Sequence, residues 1–324
     1  MALAARAPAC PVRLVTPTRL TPPERDGVGA SVVALPPGPW RLLLDFLAVQ
    51  FPAVDRAAWQ GRMEQGAVLD ASGVALAADA PYRVHARVFY FRSLPTEAVI
   101  PFDEVVLFRD DTLIVVDKPH FLPVTPAGRY LQQTLLVRLK RKLGIATLAP
   151  MHRIDRETAG LVLFTIQPAT RALYQGLFRE RAVTKHYEAI APWRPELHFP
   201  MQVRSRLVDT EHFMKMGEVE GEPNAETCIE LLEVQGALAR YALHPVTGQR
   251  HQLRVQMNGL GLPILNDQIY PHHVPELAPG MLPDYSKPLQ LLAKSLEFID
   301  PLSGLPRRFE SRLALHFGVA DHPL

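Results

Sequence analysis

Apolar and polar residues recur with two different periods along this chain, and the switches between them mark its elements. Leu131, Leu135, Leu139 and Leu143 lie four apart, with Arg138, Lys140, Arg141 and Lys142 on the other faces, which predicts an amphipathic helix. Upstream, Arg41 to Phe51 reads as a leucine-rich helix stopped by Pro52. Asp55 can cap a second helix that ends at Gly66. Val68-Leu69, the turn Asp70 to Gly73, and Val74 to Leu76 predict a hairpin, and Arg83 to Tyr90 alternates like a further strand. Short apolar runs at Thr112 to Asp117 and Leu161 to Thr165 predict buried strands. Lys185 to Ala191, Thr227 to Val234 and Leu238 to His244 read as strands too. Pro168 suits the first turn of a helix running to about Arg181. Gly248 to Asn258 reads as a helix with Thr247 as its cap and Gly259 just past its end.

These elements group into three stretches. Residues 1–39 hold eight prolines and little periodicity, and read as an extended, poorly ordered lead-in. Residues 40–92 form a compact module. Residues 93–324 alternate strands and helices without a regular βαβ rhythm, which predicts an α+β domain with a mixed, mainly antiparallel central sheet flanked by helices.

Composition narrows the class. At 48% hydrophobic residues the chain can bury a sizeable core. No apolar run approaches the roughly 20 residues of a membrane span, so a soluble protein is expected. Cys10 and Cys228 are far apart without nearby partners, which argues against a disulfide framework or a zinc site and suits a reducing cytoplasm. Arg6, Arg13 and Arg19 precede the first acid, Glu24, but no serine comes before Ser31 and there is no apolar core, so a targeting peptide is not expected. Net charge is only +2. Its distribution is uneven: Arg129 to Arg194 carries twelve Lys and Arg against four Asp and Glu. A polyanion can use such a surface, although a lone basic cluster is more often a solvated helix face.

The chemistry concentrates at His152-Arg153-Ile154-Asp155-Arg156-Glu157-Thr158-Ala159-Gly160, a polar loop running straight into the apolar run Leu161 to Phe164. A carboxylate between two arginines has a depressed pKa and stays ionised, so Asp155 can act as a nucleophile or a base without a metal. The plain alternative is a loop aspartate that caps a helix or pairs with arginine. A hydrolase acting on phosphate or sugar would need a second acid or a set of metal ligands, and only Glu157 lies nearby.

The loop resembles the H-R-[LI]-D-x-x-T-[SA]-G-[LV] signature of the RluA family of RNA pseudouridine synthases. Three further segments resemble that family in the expected order: Leu113 to Pro119, Val183 to Ala189, and Pro245 to Val255 followed by Gly261 to Asp267. The resemblance implies a cofactor-free isomerase that detaches uracil from its ribose, rotates it, and rejoins it through carbon. It makes Asp155 the catalytic carboxylate. Arg254 pairs with it, with its planar fork expected to hold both carboxylate oxygens. Tyr187 stacks on the target uracil and shares one strand face with Lys185. Arg153 fills the space a flipped base leaves. Arg153, Arg156, Lys185 and Arg250 are expected RNA contacts; Gln249 stands where the family has arginine, and Arg250 can take up part of that role. His152, His251, Gln252 and Asp267 read as scaffold. The implied partner is a ribosomal or transfer RNA stem-loop bound by a monomer, with no metal. Residues 40–92 resemble a degenerate S4-type RNA-binding module, short of the basic residues expected on its second helix. The competing reading is an inactive RNA-binding protein of the same fold, against which the joint presence of Asp155, Tyr187 and Arg254 argues.

Overall fold

The computed structural model describes residues 22–93, 97–212, 214–275, 281 and 284–318. These divide into two compact units: residues 22–25 with 29–93, and residues 26–28 with those after Ser93. The first half of the expected lead-in, residues 1–21, lies outside the described residues.

The chain opens with β1 (Glu24–Arg25), β2 (Val28–Gly29), β3 (Ser31–Ala34), α1 (Leu43–Gln50), α2 (Arg56–Glu64), β4 (Val68–Leu69) and β5 (Arg87–Tyr90). In the first unit β3 and β4 both pair antiparallel with β5. The two helices and the turn after β4 follow the sequence pattern. Asp55 caps α2 by accepting the Ala58 N–H at 2.6 Å, and Asp70 accepts the Ser72 and Val74 N–H groups. Two expectations need correction. Ser31–Ala34 belong to the sheet, so the module takes in residues assigned to the lead-in. The last strand covers only the second half of Arg83 to Tyr90, because His85 adopts a left-handed φ of 65° that interrupts it. Leu43, Phe46, Leu47, Trp59, Met63 and Val88 fill the core.

The second unit continues with β6 (Val105–Arg109), β7 (Leu113–Lys118), α3 (Leu135–Leu143), β8 (Ala149–Pro150), β9 (Ala159–Thr165), α4 (Arg171–Arg179), β10 (Thr184–Pro192), β11 (Met201–Asp209), β12 (Met216–Val219), β13 (Ala225–Gln235), β14 (Leu238–Pro245), α5 (Gln252–Gly259), β15 (Leu291–Ile299) and β16 (Pro306–Glu310). One sheet runs β12-β11-β13-β14-β10-β15-β9-β7-β6, with β16 beside β15 and β8 beside β9. Its pairings are antiparallel except β15 with β9. This is the mixed, mainly antiparallel sheet the sequence predicts.

Alternation along the central strands sends side chains to both faces. Ile114, Val116, Val162 and Phe164 pack with Leu135 and Leu139 of α3. Leu113, Val115, Leu161 and Leu163 pack with Tyr174 of α4. Leu253 and Met257 of α5 pack on Ala189, Tyr241 and Leu243. Both faces are covered, which is why β7 and β9 are buried along their whole length.

The basic stretch around α3 is partly structural. Arg138 donates to the Phe102 and Ile100 carbonyls at 2.7 Å each and to Gln133, and lies 3.6 Å from the buried Glu104. Its donors tie the segment before β6 to the helix.

Candidate active site

Two strands and one helix start converge on the candidate site. The loop between β8 and β9 carries Asp155. Ile154, buried in the core beneath α3, anchors that loop from below. His152 lies flat on Phe178, ring centres 4.3 Å apart, and its Nε2 accepts the Leu163 N–H. Burial pushes this imidazole down to about 3, so it is neutral. From β7, the fully buried Lys118 donates to the carbonyls of Pro119 (2.9 Å) and Arg156 (3.0 Å), fixing the turn just after Asp155. Burial brings Lys118 to about 7, against the pull of Glu157 and Asp155. The loop ends at Gly160 (φ 105°), where β9 meets β15: a Cβ there would lie 2.3 Å from the Ala293 carbonyl oxygen. Only glycine fits this parallel contact.

The second contribution is the start of α5. The helix begins at Gln252, four residues later than the sequence suggested. Thr247 does not cap it. Its hydroxyl donates to Gln252 Oε1 and accepts the Glu226 N–H, while Gln252 Nε2 donates to the Glu226 carbonyl and the Thr227 hydroxyl. These buried bonds hold residues 248–251 out of the helix and along a cavity. His251, next to the first helical turn, takes a left-handed φ of 54°.

Arg254 is almost wholly buried. Its fork does not hold Asp155, contrary to expectation. Nε and Nη2 donate to the two oxygens of Asp267, both at 2.7 Å. The remaining Nη1 donates to Asp155 Oδ2 at 3.1 Å. A planar guanidinium with five donors can serve two carboxylates at once, and the more buried one takes the bidentate face. Asp267 also accepts the N–H groups of Ile269 and Tyr270, so it locks the arginine rather than meeting solvent. Asp155 Oδ1 receives no donor from the described residues. Burial pushes the Asp155 carboxyl up, but His251, Arg254 and Arg153 bring it below its ordinary value. It is therefore ionised at neutral pH.

Tyr187 comes from β10, opposite Leu243 of β14. Burial, then the charge of Asp155, pushes its hydroxyl well above the ordinary value, so it keeps its proton. Lys185 donates to the Thr247 carbonyl at 2.7 Å, and burial beside Arg181 lowers it to about 8.

Asp155, Tyr187, Arg254, Arg153, Lys185 and Arg250 all line one cavity of about 730 Å³. Arg156 does not line it: it pairs with Glu157 at 2.7 Å and lies over the Tyr130 ring. Arg250 reaches the β11–β12 hairpin through the Lys215 carbonyl and Asp209. Gln249 donates to the Asn224 carbonyl. Sequence reasoning missed Arg179 and Arg181, which share the cavity wall. The available signal was two arginines, one residue apart, just before the strand that carries Lys185 and Tyr187. Among the described residues, no group of three or more His, Cys, Asp or Glu side chains is arranged to hold a metal, and no helix is long and apolar enough to cross a membrane.

The chain is similar to known proteins. The profile described as RNA pseudouridylate synthase matches residues 112–259, which takes in the Asp155 loop, Tyr187 and Arg254. The dual-specificity RNA pseudouridine synthase RluA of Haemophilus influenzae is 31% identical over 211 residues, covering 64% of this chain and 92% of that protein. An uncharacterized RNA pseudouridine synthase of Synechocystis is 29% identical over 238 residues, 70% of this chain and 79% of its own. In structure, human RNA pseudouridylate synthase domain containing 1 superposes with a TM-score of 0.53 at 20% identity, over 67% of this chain and 86% of that one. The chain belongs to the RluA family of RNA pseudouridine synthases.

Proposed function

We propose that Asp155 carries the isomerisation of a uridine in a ribosomal or transfer RNA stem-loop, with Arg254 and Tyr187 as its partners. One observation supports this most: Asp155 is held at Oδ2 by a locked arginine, while Oδ1, beside an open cavity, receives no donor from the described residues, and the charges around the carboxyl favour its ionised form. An anion fixed on one oxygen and unsatisfied on the other is prepared to act on a substrate atom. Both covalent attack on the sugar and removal of a sugar proton use that oxygen.

The other groups fit the same reading. A uridine in a stem must swing out to enter such a cavity. Arg153 is exposed at the cavity and suited to occupy the vacated stack. The protonated Tyr187 offers a ring for stacking and a hydroxyl for proton transfer. Arg179, Arg181 and Arg250 add positive charge for the phosphates on either side of the target. Arg156 is assigned to holding the loop, through Glu157 and Tyr130. Residues 29–93 are read as the S4-like module that adds RNA affinity. A single chain is taken as the working unit in the cytoplasm, without cofactor or metal; the described residues that line the cavity all come from the second unit, and two distant cysteines suit a reducing compartment.

The test combines two steps. Pseudouridine is mapped in total RNA from a strain lacking the gene, and purified protein is then assayed on the RNA that loses it, with and without excess EDTA. A carbodiimide-reactive, mass-neutral uridine product that forms in EDTA supports the proposal. Strand cleavage, or activity that returns only with added Mg²⁺ on an RNA shown to stay folded, contradicts it.

A further inference from the structure

His251 approaches the same oxygen of Asp155 that Arg254 holds. Its Nε2 lies 3.8 Å from Asp155 Oδ2, and its Nδ1 lies 3.0 Å from the Tyr270 hydroxyl. That hydroxyl accepts the Met216 N–H at 2.8 Å and lies 3.3 Å from the Met216 carbonyl. A phenol has one proton, so these distances limit the tautomer of His251.

If Tyr270 gives its proton to the Met216 carbonyl, the neutral His251 must donate from Nδ1. Its bare Nε2 lone pair then faces an anionic carboxylate oxygen at 3.8 Å, a repulsive arrangement. If Tyr270 gives its proton to Nδ1, along the shorter path, the imidazole proton resides on Nε2 and points toward Asp155. The contact with the charged Asp155 is then attractive, and what remains against this arrangement is only the weaker, uncharged O···O approach of 3.3 Å to the Met216 carbonyl. Protonation of the ring also leaves an N–H on Nε2. The relay from the β12 backbone through Tyr270 therefore selects an imidazole with a donor facing Asp155.

We infer that His251 is a positioning residue for the reaction: its Nε2–H, oriented by Tyr270 and Met216, shares Asp155 Oδ2 with Arg254 and leaves Oδ1 as the oxygen presented to the nucleotide. At 3.8 Å the contact is longer than a hydrogen bond. Exclusion of water by bound RNA strengthens and shortens it, as catalytic contacts tighten in the occupied complex. The charged groups around His251 are Asp155 and Glu157 from the loop and Arg250 and Arg254 from its own segment. The inference rests on the reading of Asp155 as the acting carboxylate.

His251→Gly is the informative variant, because glycine accepts the left-handed backbone and opens a hole that free imidazole can enter. At saturating RNA the single-turnover rate should fall on the order of 10- to 100-fold, with RNA affinity within about two-fold. The acid limb of the rate profile should move to higher pH, since Asp155 loses a donor to its charged form. Added imidazole should restore part of the rate, and His251→Gln, whose amide N–H reaches a similar place, should retain more rate than His251→Gly. Tyr270→Phe gives an independent reading through an intact imidazole and should shift the profile the same way by less. A wild-type rate and profile in both His251→Gly and Tyr270→Phe overturns the inference. So does lost affinity with an unchanged saturating rate. Asp155→Asn is run in parallel: if it is inactive while His251→Gly is normal, only the positioning role fails; if it still turns over, the underlying assignment fails.

Discussion

The two units bury different kinds of side chain. Among the described residues of 29–93, every fully buried side chain is apolar, with Trp59, Phe46 and Leu47 at the centre. The second unit buries Lys118, Gln252, Arg254 and Gln256, and Arg254 is among its most deeply covered side chains. Burying charge and amide groups is costly unless each is paired. Here each is: Lys118 by two carbonyls, Gln252 and Gln256 by a hydroxyl network, Arg254 by two aspartates. Gln252 and Arg254 line the cavity, while Lys118 supports the Asp155 loop from β7. In the first unit the buried side chains form an apolar core. In the second, part of what is buried holds side chains in place along the cavity.

The sharpest way to break this contrast is to remove the deeper of the two aspartates. Asp267→Ala leaves the Arg254 charge buried with one partner, and breaking such a pair typically costs about 3–5 kcal/mol. Urea unfolding of the second unit should show that loss, and single-turnover rate should fall with it. An unchanged midpoint would mean that the fork does not support the site.

Arg254→Lys is expected to lower both rate and stability. A lysine cannot bridge Asp267 through two parallel bonds and still reach Asp155. A misplaced charge can cost on the order of 100-fold in rate, and the buried fork adds a stability loss that an open active-site pair would not. Near wild-type values in both measurements would remove Arg254 from the account.

The complementary variant lies in the first unit. Trp59 is wholly enclosed and packs against Phe51 and Tyr90. Trp59→Ala should destabilise that unit by about 3–5 kcal/mol and weaken RNA affinity, yet leave the saturating single-turnover rate within about two-fold. A large loss of that rate would show that the chemical step depends on both units.

Much of this was legible in the sequence, for identifiable reasons. The Asp155 loop could be read because its polar and apolar halves are contiguous, and the shared face of Lys185 and Tyr187 followed from strand period. The helix on Leu135, Leu139 and Leu143 was plain for the same reason. Local pattern says nothing about which carboxylate wins an arginine's fork. Asp267 lies on a loop thirteen residues after Arg254, and only the fold shows that it takes two donors and leaves one for Asp155. The late start of α5 was hidden too, because Thr247 looks like a cap but its hydroxyl is recruited by Gln252. Strand β3 sits among prolines that suggest disorder. Arg156 is expected to contact RNA by its place beside Asp155, but its side chain pairs with Glu157 and lies over the Tyr130 ring.

The central claim is that the ionised Asp155 performs the isomerisation within a site that folds and binds RNA without its charge. Asp155→Asn tests this most directly, because the amide keeps the shape and removes the anion. The measurement is the single-turnover rate of pseudouridine formation at saturating RNA, with RNA affinity and thermal midpoint taken on the same protein. The account predicts no detectable product, affinity within about two-fold of wild type, and a folded protein. Appreciable product from the purified variant would contradict it.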